Sequence, residues 1–268
     1  SLLKIVCKSS TFQSLEEGRY SGRFLSQSSA FSQGSQNASQ GISQGNSLVE
    51  KSILLSLKIL TIMLENQDEF RAQGSGNSRL QNFKLRTPED LIKGDQIVKI
   101  AEYISYTHLA DIRLYSVKII SLLSQINRSI MDIFINAHMH HHLMSMLIAR
   151  LRGDTFDSAY SVTKVSEEDV RNAILDLLFL NADSPNGLTH FLCGVEQKWS
   201  AQQPNSMRIF IRTHDDHCLF AILQLLQDRF SQHAHSRLVL KCYQLLYRLC
   251  SDRIVCTAVV QYLERANF

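Results

Sequence analysis

The stretch Asp95-Gln-Ile-Val-Lys-Ile-Ala-Glu-Tyr103, followed by Asp111-Ile-Arg-Leu-Tyr-Ser-Val-Lys-Ile-Ile-Ser-Leu-Leu123, decides the fold class. Ile97, Val98, Ile100, Ala101 and Ile104 recur at the three- and four-residue spacing of one helix face. Leu114, Val117, Ile120, Leu122 and Leu123 do the same in the second piece. Asp95 stands at the start of the first run as its cap, and Asp111 opens the second. Two helices joined by a short turn must bury their apolar faces on each other or on a neighbour, so the building unit is a helix pair.

The pattern continues towards the C-terminus. Ser129 to Leu151 reads as one long helix with Met131, Ile133, Phe134, Met144, Leu147 and Ile148 on its apolar face, ended by Gly153. Ser166 and Asp169 have capping-box spacing before Val170, Ile174, Leu175, Leu177, Leu178 and Leu180. Ser184-Pro185-Asn186-Gly187 is a turn signal, and Leu188 to Leu192 a short apolar helix. Met207 to Arg212 alternates apolar and polar, but a lone strand has no partner in this sequence and is read as extended loop. Three further helices are expected at residues 215–230, 236–250 and 254–265.

Towards the N-terminus, Ser47 and Glu50 form a second capping-box pair, opening a helix through Leu54, Leu57, Ile59, Leu60 and Met63 to about Phe70. A loop with Gly74 and Gly76 follows, then Thr87-Pro88-Glu89-Asp90, which has the order of a helix start. Ser26 to Ser47 is a Ser/Gln/Gly-rich tract with too few apolar residues to offset its ordering entropy. The expected organisation is therefore 1–25 as the end of a preceding helix and a loop, 26–47 as a flexible linker and 48–268 as the helical segment. Ser1 and Phe268 both read as cut from something longer.

About nine helices with uneven loops and no βαβ alternation give an all-α fold. Several helices are apolar beyond one stripe, which favours layers over a single bundle. The expected architecture is an irregular α-solenoid of stacked antiparallel helix pairs, of the HEAT/armadillo kind but without a strict repeat. Such an isolated segment would be only moderately stable, because its ends expose apolar surface.

Composition narrows the function. Net charge is +3 with the basic residues scattered, so no basic stripe marks a nucleic-acid binder. No apolar run reaches the roughly 18 residues of a membrane span. The six cysteines form no CxxC pair, and four of them (Cys218, Cys242, Cys250 and Cys256) lie in apolar helical segments, so they read as buried free thiols in a reducing compartment.

Four clusters invite a chemical reading. His138, His140, His141 and His142 crowd one segment, and on a continuous helix His138 and His142 at i,i+4 could hold a metal. The plainer reading is a polar helix face, since no glutamate follows as a base and no cysteine is near. His214-Asp-Asp-His217 reads as acids in the first turn of the next helix. Cys193, three residues after His190, lacks an orienting third group and reads as a helix end stopped by Gly194. Glu167 and Glu168 sit at a helix start. No catalytic constellation rises above background, no cofactor is expected, and the expected class is non-enzymatic.

Taken in order, several segments resemble the large inner-ring adaptor nucleoporins, most of all a metazoan member. They are Leu64-Glu-Asn-Gln-Asp-Glu-Phe-Arg71, the two stretches quoted at the outset, Val170-Arg-Asn-Ala-Ile-Leu-Asp-Leu-Leu178 and Pro185-Asn-Gly-Leu-Thr-His-Phe-Leu-Cys-Gly194. Cys218-Leu-Phe-Ala-Ile-Leu-Gln-Leu-Leu226 and Cys242-Tyr-Gln-Leu-Leu-Tyr-Arg-Leu-Cys250 complete the series. The resemblance implies a scaffold at the nuclear pore complex of the nuclear envelope, part of a large hetero-oligomer. It further implies partners among inner-ring and linker nucleoporins, bound through short helical motifs, with no nucleic acid and no transmembrane segment. It assigns no binding residue. Two other classes compete: an importin-type transport receptor, disfavoured by the slightly basic charge and uneven repeats, and an all-helical metal enzyme built on His138 and His142.

Overall fold

The computed structural model describes residues 36–67, 92–153, 165–184, 187–199, 207–213, 216–230 and 237–268. Its helices are α1 (Gln36–Glu65), α2 (Gly94–Glu102), α3 (Ala110–Ile126), α4 (Ile130–Asn136), α5 (His140–Arg152), α6 (Glu167–Leu180), α7 (Leu188–Leu192), α8 (Cys218–Phe230), α9 (Arg237–Ser251) and α10 (Cys256–Arg265). A 3-10 turn, Tyr103–Ser105, closes α2, and two strands, β1 (Val195–Trp199) and β2 (Met207–Ile211), separate α7 from α8. The all-α expectation holds apart from this one hairpin.

The helices lie in two layers. One row runs α1, α3, α6, α9, each packed on the next. The other holds α2 with α4, then α5, then α8, and each of α2, α5 and α8 backs onto the row helix that follows it in sequence. Cross-links give the row its direction. Tyr106, just before α3, donates its hydroxyl to Glu50 of α1 at 2.5 Å, while Lys58, two turns further along α1, sits over Tyr115 of α3. Arg113 and Glu167 pair the N-terminal turns of α3 and α6. Asp176 of α6 and then Asp183, in the turn that follows it, meet Lys241 and then Arg248 of α9. Contacts that advance together on both partners mean parallel helices, so the row is parallel throughout. Between layers the sense reverses: Arg171 at the start of α6 donates to the Arg150 carbonyl at the end of α5, at 3.3 Å. A parallel row backed by antiparallel partners is the geometry of an α-solenoid.

The core runs along the seam between the layers, through Leu57, Ile100, Ile104, Ile112, Val117, Ile120, Phe134, Leu147, Ile174, Leu178, Ile222 and Leu245. All of these are effectively sealed from solvent. Each full burial of such a side chain contributes roughly 1.5–3 kcal/mol before chain entropy is set against it.

Local expectations divide. The capping box at α6 forms: Asp169 N–H donates to Ser166 Oγ at 3.2 Å and Ser166 N–H to Asp169 Oδ2 at 2.8 Å. That Ser166 N–H, together with the Ser166 hydroxyl, which donates to the same oxygen at 2.8 Å, holds the Asp169 carboxyl below its usual range. Gly153 ends α5 with φ 80°. Asp95 is not the cap of α2, whose N-cap is Lys93; it lies inside the first turn, and Asp111 opens α3 from within its first turn, behind the N-cap Leu109. There the carboxylates still face the positive helix end. Helix α1 begins at Gln36, inside the Ser/Gln/Gly tract, so the Ser47–Glu50 pair does not start it. Residues 1–35, the 73–86 loop and the Thr87-Pro88-Glu89-Asp90 start lie outside the described residues.

Two expectations fail for tertiary reasons. The segment 129–151 is not one helix: it breaks at Ala137–Met139, where His138 takes φ 55°. Phe134 and Leu143 are both buried, yet nine steps of about 100° would set them on opposite sides of a straight helix. The break turns both towards one core. Met207–Ile211 is a strand and has a partner, because Val195–Trp199 pairs with it antiparallel, with Val195 opposite Ile211 and Gln197 opposite Ile209.

Candidate functional site

The histidine cluster does not assemble as its spacing suggests. His138 sits in the left-handed turn, so the helical i,i+4 relation to His142 is not realised. His140 opens α5, with its ring 4.4 Å from the His141 ring and 5.6 Å from the Phe191 ring of α7, centroid to centroid. Burial, then the neighbouring His141, pushes the His140 pKa down. Across from it Arg212 stacks on Phe191 and lies 2.8 Å from Glu196 Oε1, without the angle of a hydrogen bond. Among the described residues no three His, Cys, Asp or Glu side chains converge as metal ligands.

The cysteine candidate is a packing residue. Cys193 is fully buried, and burial raises its thiol to about 12, far from a thiolate at neutral pH. Burial also raises Cys242 to about 12 and Cys218 well above the ordinary thiol value. His190 turns away from Cys193 to Asp252, in the turn between α9 and α10, at 3.0 Å. Gly194 does end the short helix, with φ 81°.

At the second histidine candidate His214 and Asp215 lie outside the described residues, and Asp216 precedes α8 rather than sitting in its first turn. The cap is His217, which is sealed from solvent. Its Nδ1 accepts from the Phe220 N–H at 3.2 Å, and its Nε2 faces the Arg212 carbonyl at 3.2 Å. An accepting Nδ1 leaves the proton on Nε2, which donates to that carbonyl. One ring therefore ties the end of the hairpin to the start of α8. Its position is structural.

Two arginines that the sequence did not single out hold the α2–α3 corner. Arg150 of α5 donates Nε to Ile104 O at 3.1 Å and Nη2 to Ser105 O at 2.7 Å. Arg113 of α3 donates Nη1 to Tyr106 O at 2.6 Å and Thr107 O at 3.1 Å. Four consecutive carbonyls at the negative end of a helix are thus met by buried guanidinium groups. Arg113 adds its ion pair to Glu167. This clamp joins α2, α3, α5 and α6, so it sets repeat geometry rather than chemistry.

What remains for function is surface. Of the large apolar side chains exposed among the described residues, Leu48, Val49, Leu55, Ile62 and Met63 lie on α1, the first helix of the row. Leu240, Tyr243 and Tyr247 lie on α9, the last, with Ile254, Val260 and Phe268 beyond it. The middle of the row contributes little.

These features define a class: a helical-repeat segment in which, among the described residues, Arg113, Arg150 and His217 tie helix ends together and most of the exposed large apolar side chains lie on or beyond the end helices of the row. A family profile described as the nuclear pore complex scaffold, nucleoporins 186/192/205, matches residues 28–268. The chain belongs to that family and is thereby a component of the nuclear pore complex in the nuclear envelope. No curated protein and no solved structure matched the chain. No helix among the described residues is long and apolar enough to cross a membrane.

Proposed function

We propose that this segment works within the inner ring of the pore as a non-enzymatic scaffold, binding short helical motifs of linker nucleoporins and so supporting nucleocytoplasmic transport. Family membership supports the scaffold role. The observation that carries the binding role is the parallel row α1–α3–α6–α9 with exposed apolar residues at its ends. A laterally stacked row accepts one more amphipathic helix by the packing it already uses between its own members. The division of the chain into a linker and a solenoid segment belongs to the same proposal, with α1, from Gln36 on, counted to the solenoid.

The test is a pull-down from nuclear-envelope extract with the chain as bait, read by mass spectrometry. Enrichment of inner-ring and linker nucleoporins is the expected result. Enrichment of cargo and the small GTPase of transport instead would overturn the scaffold-binding reading in favour of a transport receptor.

A further inference from the structure

The Ser/Gln/Gly tract carries a motif that neither the fold nor the scaffold role uses. Ser26-Gln27, Ser32-Gln33, Ser35-Gln36, Ser39-Gln40 and Ser43-Gln44 place a serine directly before a glutamine five times between positions 26 and 44. In the rest of the chain the dipeptide occurs twice, as Ser124-Gln125 and Ser231-Gln232, and Ser124 is buried in α3. One class of protein kinases selects its serine by a glutamine in the next position, so the tract is a dense array of such acceptors. The first three serines lie outside the described residues. Ser39 and Ser43 fall within α1, one helical turn apart.

Helix α1 is written in two parts. From Gln36 to Ser47 it contains Gly41 and Gly45, Asn37 and Asn46, and Ser39, Ser43 and Ser47, all weaker helix formers, and it has no acidic residue in its first turn. From Leu48 on it is rich in Leu, Ile, Lys and Glu. The described side chains that fasten it to the row lie in this second part. Glu50 accepts the Tyr106 hydroxyl, Lys58 sits over Tyr115, and Ile53, Leu57, Leu60 and Leu64 are buried in the core. Ser47 and Glu50 stand at the boundary with capping-box spacing, so the sequence holds a second helix start behind the one the structure uses. A helix beginning at Leu48 keeps every one of these contacts. The two starts differ by a stretch of weak helix, which a small bias can fold or unfold.

We infer that Ser39 and Ser43 are acceptor sites for a glutamine-directed serine kinase, and that phosphorylation moves the start of α1 from Gln36 to Leu48, with Ser47 as the new cap. In the transfer the serine Oγ bonds to the γ-phosphorus of ATP, the bond from that phosphorus to its bridging oxygen breaks, ADP leaves, and the hydroxyl proton passes to the kinase's base. Each phosphate adds close to two negative charges. In the long helix the two groups occupy positions i and i+4, where like charges destabilise. Position 43 also lies beyond the first turn, out of reach of the positive helix end. With the start at Leu48 both phosphates precede the helix, on the side of its positive end. The modification thus favours the short form, which is the differential interaction a population shift requires.

The test treats the full chain with a glutamine-directed serine kinase and ATP, maps phosphate by mass spectrometry and follows amide hydrogen exchange. Phosphate at Ser39 and Ser43, with none at Ser124, is expected, and its absence from the two tract serines overturns the assignment. Gln40→Ala with Gln44→Ala should lose that labelling; undiminished labelling overturns the glutamine-directed reading. In the phosphorylated chain the amides from Gln40 to Asn46 should exchange roughly tenfold faster or more, while those from Ile53 on stay protected. Unchanged protection over Gln40 to Asn46, or an unmodified chain with no protection there, overturns the switch. Ser39→Ala with Ser43→Ala should show no change on kinase treatment, and a persistent change overturns the role of these two serines. Ser47→Ala should extend the loss of protection past Leu48 in the phosphorylated chain alone. Equal behaviour of that variant with and without phosphate overturns the second start.

Discussion

Replacing Arg150 with methionine tests whether the arginine clamp sets the α2–α3 corner. The substitution keeps most of the aliphatic bulk and removes both hydrogen bonds, at 3.1 Å to Ile104 O and 2.7 Å to Ser105 O. Ile104 is sealed from solvent, so its carbonyl loses its partner without gaining water, at a cost of about 1–3 kcal/mol. Ser105 is exposed, and water substitutes there. Burying a guanidinium is itself unfavourable, and desolvation already lowers the Arg150 pKa, so its removal returns part of the loss. The net expectation is a destabilisation of about 1–2 kcal/mol. At about 2–4 °C per kcal/mol for chains of this order of size, differential scanning fluorimetry should show Tm lower by about 2–8 °C. Arg150→Lys should fall between, because a lysine reaches one carbonyl as a point charge but cannot span two. A methionine variant that melts at or above the wild-type temperature would refute the reasoning: the carbonyl contacts would then not offset the buried charge.

Other outcomes follow from the same structure. Ser166→Ala removes the oxygen that accepts from Asp169 N–H and should cost about 1 kcal/mol, read by chemical denaturation. Gly194→Ala should be worse, because φ is 81° and an added Cβ would lie 2.7 Å from His217 Cγ; a loss above about 1 kcal/mol is expected, with local exposure of the hairpin by hydrogen exchange. Acidification should weaken the junction of α5 with α7. The folded His140 pKa lies below the ordinary imidazole value of about 6.5, so the unfolded chain takes up the proton first. Stability contributed by the neutral ring is present above about pH 6.5 and declines as pH falls towards the folded pKa. His140→Phe should flatten that part of a Tm-against-pH profile, and an unchanged slope would speak against it.

Much of the fold was legible because it is written locally. The three- and four-residue spacing of Ile97, Ile100 and Ile104, or of Ile174, Leu177 and Leu178, needs no distant partner to be read as helix. The Ser166–Asp169 box closes within four residues, and Gly153 and Gly194 stop their helices through backbone freedom at a single position. The candidate sites were less legible, for the opposite reason. Chelation by His138 and His142 assumed a helix that packing breaks, and the Cys193–His190 pair assumed that proximity in sequence would become a contact.

By itself, then, the sequence determined that this is a chain of apolar-faced helices, where most begin and end, and that no catalytic grouping stands out. Tertiary structure decided the rest. It broke 129–151 at His138 because Phe134 and Leu143 must face one core. It gave Met207–Ile211 a partner strand. It sent Arg150 to carbonyls some 45 residues away and set four helices parallel in a row. Each of these depends on which faces meet. A one-dimensional pattern gives the width of a helix's apolar face but not the neighbour that covers it, and burial is settled only by that neighbour.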